Sequence, residues 1–298
     1  MNSLKLVLIA VLFVPLSVFS QQRFHRQMPP GNYSGICHIG GDDYAVVNDK
    51  APEDGFHVFH INIDTVKGRI VAVSDKGYRS AQRPNRDMEG IAYRPSSRTL
   101  FISGESDNKI EEYLLDATPT GRRLSIPDDV VRRASRNGGL EALTYSTLHH
   151  RFYTTTEHPL DGDTLHRILT FNDQMAFVGD LYYRADAPIS RKYKSGISAL
   201  CSLDDGRLLV LERQIRVPRL KIGARTVVRI YEAIVSDTPI MEKRLVAELT
   251  GRLNLTSRRF ANYEGLCQTA DGKWVLLIAD SQNRYKHVLR DWLYLLKL

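Results

Sequence analysis

Asn262 to Asp280 reads NYEGLCQTADGKWVLLIAD. Two apolar runs flank an Ala-Asp-Gly-Lys turn, which is the pattern of a β-hairpin. Glu264 enters the first run and Asp280 closes the second, so the hairpin brings two carboxylates to one edge. The arrangement recurs along the chain. It is found in DMEGIAYRPSSRTLFISGE (Asp87 to Glu105) and GLEALTYSTLHHRFYTTTE (Gly139 to Glu157). It is found again in GISALCSLDDGRLLVLE (Gly196 to Glu212) and YSGICHIGGDDYAVVND (Tyr33 to Asp49). Glu89 and Glu105, Glu141 and Glu157, and Glu264 and Asp280 are each 16 residues apart. In the other two copies Ser34 and Ser198 take the entry position, answered by Asp49 and Glu212.

Repetition at intervals of 52 to 66 residues is the signature of a repeat architecture. Each hairpin is followed by two further strand-like runs, for example HVFHINID with GRIVAVSD, or TVVRIYEAI with KRLVAEL. Four strands per unit with polar turns between them predict an all-β fold, a β-propeller of four-stranded blades. Five blades follow most simply, with six as the alternative if the longest interval hides a degenerate unit. The last unit has only Trp292 to Leu298 after its hairpin. Residues around Gln22 to Gln27 are expected to supply the missing strand and close the ring, which removes exposed sheet edges.

The first 20 residues combine Lys5, an apolar run from Leu6 to Phe19 and small residues at Val18 and Ser20. That is a secretory signal peptide, too short to span a bilayer comfortably. It leaves 21–298 as one propeller domain, exported to a periplasmic or extracellular space as a monomer, with no integral membrane segment after leader removal. The net charge of +7 favours anionic partners. Aromatic residues are not interleaved with the basic runs, which argues against nucleic acid. Cys37, Cys201 and Cys267 each fall three residues after an entry position, where Ala92 and Thr144 stand in the other copies. They read as buried thiols in a small-residue layer, with Cys37 and Cys267 the one pair that could bridge.

In a propeller the matching ends of all blades share one face, so the repeated acids should ring one mouth of the central channel. Directly opposed strand residues have Cα atoms about 4.5–5.5 Å apart, and ionised carboxylates that close need a cation, a shared proton or a hydrogen-bond donor. A hard cation such as calcium would use Asp49, Glu105, Glu157, Glu212 and Asp280, with Asn283 from the Asp280-Ser281-Gln282-Asn283 loop. Glu89, Glu141 and Glu264 are the candidate catalytic carboxylates, one of them serving as general base. Arg83, Arg86, Arg213 and Arg216 lie near the acids in sequence and are candidates for holding a small anionic or phosphorylated substrate. Against this stands a structural reading, in which the acids accept hydrogen bonds from the next blade and lock the ring.

The segments DMEGIA, LEALTY, GISALCSLDDGRLLVLER and NYEGL with LLIADSQN resemble, in that order, the phytase-like family, also described as the esterase-like domain of phytase. The resemblance runs from about Gly31 to Leu298. It implies a phosphoester or ester hydrolase whose acidic residues correspond to Glu89, Glu141, Glu212, Glu264 and Asp280. The competing expectation is a non-catalytic propeller that binds a glycan, a phosphorylated ligand or an envelope protein.

Overall fold

A computed structural model of the chain describes residues 20–24, 26–135, 138–219, 222–234 and 240–298. The expected leader falls outside these apart from residue 20. The described residues form five four-stranded antiparallel sheets. β1 (Ser20–Arg23) belongs to the last of them. Blade I comprises β2 (Tyr33–Gly40), β3 (Asp43–Asn48), β4 (Glu53–Asp64) and β5 (Arg69–Pro84). Blade II comprises β6 (Met88–Arg94), β7 (Thr99–Gly104), β8 (Lys109–Leu114) and β9 (Pro119–Arg123), and is followed by a short helix, α1 (Asp128–Arg133). Blade III is β10 (Leu140–Ser146), β11 (Arg151–Thr156), β12 (His166–Asn172) and β13 (Phe177–Tyr183). Blade IV is β14 (Lys194–Ser202), β15 (Leu208–Arg216), β16 (Ala224–Ile234) and β17 (Glu242–Leu253). Blade V is β18 (Asn262–Gln268), β19 (Trp274–Asp280) and β20 (Trp292–Lys297), completed by β1. The five-bladed propeller expected from the repeat is the fold, and the six-bladed alternative falls away.

The closing strand starts slightly earlier than the sequence suggested. β1 pairs Gln21 with Tyr294 and Arg23 with Trp292. The Gln22 side chain extends this closure to blade I. Its amide nitrogen donates to the Ile70 carbonyl at 2.9 Å, and its oxygen accepts from the Ile70 N–H at 2.8 Å. A side-chain amide thus stands in for a strand residue between the first and last blades.

Second strands are buried on both faces because a blade lies on each side. Every residue of β7 and β19 is buried. The core is accordingly divided into interblade layers. One packs Tyr33, Ile36, Phe59 and Ile61 of blade I against Trp274, Leu276 and Ile278 of blade V. Burying each such side chain contributes about 1.5–3 kcal/mol. The three cysteines are unbridged and buried in three different interblade layers. Burial holds all three thiols protonated, with Cys201 pushed up to about 12.

The innermost strands, β2, β6, β10, β14 and β18, share one irregularity. In each, the pairing with the second strand slips beside the entry position. Tyr263 pairs with Ala279, whereas Gly265 pairs with Ile278, leaving Glu264 in a β-bulge. Equivalent slips place Glu141, Ser198, Glu89 and Ser34 in bulges. A bulge adds an unpaired residue, bends its strand and re-aims a side chain. The bulge follows from the small residue that succeeds each entry, since neighbouring inner strands approach closely there. A Cβ on Gly35 would come within 2.5 Å of the Glu89 carbonyl oxygen, and one on Gly90 within 2.8 Å of the Glu141 carbonyl oxygen.

Two residues beyond each entry stand Ile36, Ile91, Leu143, Leu200 and Leu266, forming an apolar collar around the axis. The space lined by both the entry residues and this collar is about 10 Å³. On the far side of the collar a chamber of about 300 Å³ is lined by Cys37, Ala92, Thr144, Cys201 and Cys267.

Candidate functional site

On the entry side the channel opens into a recess of about 580 Å³. Its walls include Asp49, Glu89, Glu141, Glu264 and Asp280, together with Lys50, Arg213, Asn32 and Asn262. The repeated acids therefore do gather at one mouth, but not as directly opposed pairs. The bulge shifts the register, so Asp280 faces Asn262 rather than Glu264. The symmetric spacing in the sequence counted a residue that the ladder leaves out.

Three groupings of charge divide the mouth. In the first, Arg213 bridges Glu264 and Glu157, its Nη2 lying 2.6 Å from Glu157 Oε1 and its Nη1 in direct contact with Glu264 Oε1. The Asn262 amide donates to Glu264 Oε1 at 2.7 Å and reaches Asp280 Oδ2 at 3.4 Å. In the second, Lys50 lies 3.1 Å from Asp49 Oδ2 and 2.5 Å from Asp87 Oδ1. In the third, Glu89, Glu105 and Glu141 bring one oxygen each within 4.8 Å of one another. Among the described residues no Lys, Arg or His lies within ion-pair distance of these three. Glu105 receives only the Gly139 N–H, at 3.4 Å. Glu89 also belongs to a group with Asp49 and Asp87 in which the oxygens again lie within 4.8 Å of one another.

Burial and mutual repulsion dominate the acid–base character of these groups. Burial raises Glu89 well above the usual carboxylate range, the charges of Glu141, Glu264 and Asp49 raise it further, and the Ser34 hydroxyl offsets a little of this. Glu141 rises through burial and the charge of Glu157, against the opposing pull of Arg213. Glu264 is pushed up to about 8 by burial, against the opposing pull of Arg213. Asp280 rises to about 6 through burial, moderated by the Gln282 N–H that its carboxylate accepts.

The other sequence candidates lie elsewhere. Arg83 and Arg86 are not free to hold a substrate. Both bind Asp54, which is fully buried, and Tyr113, while Arg83 also contacts Glu111 and Arg86 contacts Asp107. Glu212 sits between blades III and IV, where it accepts from Tyr183 Oη at 2.7 Å, Lys243 Nζ at 2.6 Å and the Asp186 N–H at 2.8 Å. It takes no part in the mouth, because these donors hold its carboxylate between the blades. Glu157 sits behind Arg213, with His158 Nε2 at 3.4 Å from its other oxygen. Arg216 pairs across the ladder with Arg225, outside the recess. Asn283 is exposed in a left-handed turn, and Gln282 lines the recess instead. Lys192 and Lys194, which sequence reasoning passed over, also line it. Lys192 lies in the connection between blades III and IV and Lys194 is the first residue of β14, both ahead of the repeated hairpin, so periodicity could not find them.

The family model described as phytase-like, esterase-like activity of phytase, matches residues 29–282. This chain belongs to the phytase-like family. The match covers all five bulged entries of this phytase-like chain, including the three that are glutamates. No curated protein matches it. Among solved structures, the hydrazine synthase of Kuenenia stuttgartiensis is similar at 12% identity and a TM-score of 0.42, covering 86% of this chain and 58% of that one. The chain thus spans little more than half of that protein's length. Streptogramin B lyase is 12% identical with a TM-score of 0.44, covering 94% of this chain and 98% of that one. The periplasmic gluconolactonase of Pseudomonas aeruginosa is 16% identical with a TM-score of 0.41, covering 87% and 68%. Likenesses at this level carry no conclusion about chemistry. No helix among the described residues is long and apolar enough to cross a membrane.

Proposed function

We propose that this phytase-like propeller is an exported, cation-assisted hydrolase of anionic phosphoesters or esters, acting at the acidic mouth. The observation that carries the reading is the trio Glu89, Glu105 and Glu141, three carboxylates from blades II and III with no basic group within ion-pair distance among the described residues. Elsewhere in the mouth the protein supplies its own cation, Arg213 or Lys50. An all-oxygen donor set suits a hard ion such as calcium rather than zinc or iron. Such an ion, when bound, supplies Lewis acidity toward a phosphoryl or acyl oxygen.

The residues of the chain divide the remaining work. Asp280, at about 6, is largely ionised at neutral pH and can take a proton from attacking water as general base. Glu264, at about 8, largely keeps a proton at that pH and can deliver it to the leaving group. Arg213 and Asn262 both donate to Glu264 Oε1, which leaves Oε2 to carry the proton. The two acids are held on one hairpin by the Asn262 amide, so donor and acceptor keep a fixed spacing. The collar below closes the floor and limits the water that can reach them from the far side.

The test is the metal content of the purified protein, followed by a panel of phosphomonoesters, phosphodiesters and carboxyl esters with calcium or with chelator. Turnover that depends on the ion, and is lost in Glu89→Gln and Asp280→Asn, is the expected result. A protein that holds no ion, melts identically with and without chelator and turns over nothing is instead a non-catalytic ring whose acids are structural. Mass determination of the N-terminus of secreted protein tests export.

A further inference from the structure

Of the four arginines that sequence spacing nominated as anion-binding groups, three are occupied, and Arg216 lies outside the recess. Arg83 and Arg86 are held by Asp54, and Arg213 by Glu157 and Glu264. Two basic residues of the recess are not. Lys192 and Lys194 line it, are exposed, and among the described residues make no ion pair. The backbone that carries them is held in place. Lys194 opens β14 opposite Ile215 of β15. The connection leading to Lys192 is clamped by the buried Gln214, whose oxygen accepts the Ile189 N–H at 2.7 Å and whose amide donates to the Ala187 carbonyl at 3.2 Å. Ile215 and Val217 line the same side of the recess.

The mouth therefore has an acidic floor on blades II and III and a basic, partly apolar rim on blade IV. We infer that Lys192 and Lys194 form an anion-docking arm, and that the preferred substrate carries two separated anionic groups on an organic body. One group lies over the cation side of the mouth, the other on the two lysines, and the body packs on Ile215 and Val217. This deepens the reading of the mouth as a cation-assisted site and rests on it. The lysines are specificity residues, since a neutral or singly charged ester reaches the floor without them. Their exposed charges also raise the encounter rate of anions, an effect that salt weakens.

Binding of a naphthalene disulfonate and of the matching monosulfonate, neither of them a strong calcium chelator, separates these contributions. Fluorescence titration of the full-length protein with calcium should show tighter binding of the disulfonate by about tenfold, equivalent to about 1.4 kcal/mol. Lys192→Met/Lys194→Met should erase that preference while leaving monosulfonate affinity, calcium affinity and melting temperature unchanged. A wild-type protein with no preference, or a double variant that keeps it, overturns the assignment. Absence of calcium binding by the wild type defeats the cation reading instead. A lysine-dependent preference that persists without calcium upholds the docking arm alone.

Discussion

The two sides of the mouth solve one electrostatic problem in different ways. Around Arg213, a guanidinium already sits between Glu157 and Glu264, so crowded carboxylates are balanced by the chain itself. Around Glu89, Glu105 and Glu141 no basic group among the described residues comes within ion-pair distance, and only the charge of Arg213, acting from farther away, eases Glu141. Both sides descend from one repeated hairpin. The difference lies in what β15 delivers to the axis in blade IV, an arginine directly after its terminal acid, Glu212. In blade II the corresponding terminal acid, Glu105, is followed by Ser106 and a turn. A propeller can thus keep identical scaffolding around the ring and vary, one residue at a time, where it is self-neutralised and where it depends on an ion from outside.

Removing Arg213 is the harshest way to break this contrast. Arg213→Ala leaves Glu157 and Glu264 crowded without a counter-charge. The expected loss is about 3–5 kcal/mol, the usual cost of stripping one partner from a buried pair, read by chemical denaturation. Partial rescue by adding Glu157→Gln would assign the loss to the stranded charge. If Arg213→Ala melts like the wild type, the guanidinium is not what balances that side.

Glu89→Gln tests the other side, and its sign should depend on the ion. Without calcium it removes a repelling carboxylate and should stabilise the protein by about 1 kcal/mol, the typical scale of a favourable point change. With calcium it should weaken ion affinity by at least about tenfold, since hard cations depend on ligand charge, as titration calorimetry would measure. Equal calcium affinity in the two proteins would remove Glu89 from the site.

Acidity supplies a third and smaller lever. Glu264 is raised from an ordinary value of 4.5 to about 8, and Asp280 from 3.8 to about 6, both chiefly by burial. Carboxyls raised in the fold bind more protons there than in the unfolded chain. The contribution of these two groups is therefore greatest at the acid end and is lost as pH climbs from about 4 to 8, while the lowered His57 and His166 act the other way up to about 6.5. The melting temperature of chelator-treated protein should drop as pH climbs from about 6.5 to 8, and calcium should flatten the drop by standing in for the lost protons. A melting curve that rises with pH over this range would contradict the assignment.

The smallest effects belong to the residues that the fold leaves outside the mouth. Arg216→Ala and Asn283→Ala should change stability by less than about 0.5 kcal/mol, as most surface substitutions do, and should leave ion binding untouched.

These contrasts also explain what the sequence could reveal. The hairpin from Asn262 to Asp280 was legible because alternation, turn and length all agreed, and its repetition carried the ring and the gathering of acids at one end. The bulge was the hidden variable. Glu264 and Asp280 look symmetric about their turn, yet the extra residue moves Asp280 opposite Asn262. The dipeptides Ser34-Gly35, Glu89-Gly90, Glu141-Ala142, Ser198-Ala199 and Glu264-Gly265 were the available signal, because only a small residue lets a neighbouring backbone approach. The arginines misled for a different reason. Arg83 and Arg86 are near Glu89 in the chain, but the buried Asp54 that holds them is about 30 residues away and belongs to no motif. Lys192 and Lys194 stand ahead of the repeated hairpin.

The collar of Ile36, Ile91, Leu143, Leu200 and Leu266 makes this ring a cup with a stopper rather than a pipe. With about 10 Å³ of space at the neck, room for at most one water, no organic reactant or product that enters the acidic bowl can leave by way of the cysteine chamber. Traffic of ion, reactant and product has a single doorway. The opposite face is thereby released from the chemistry, free to be tethered or leaned against a surface without the bowl being disturbed.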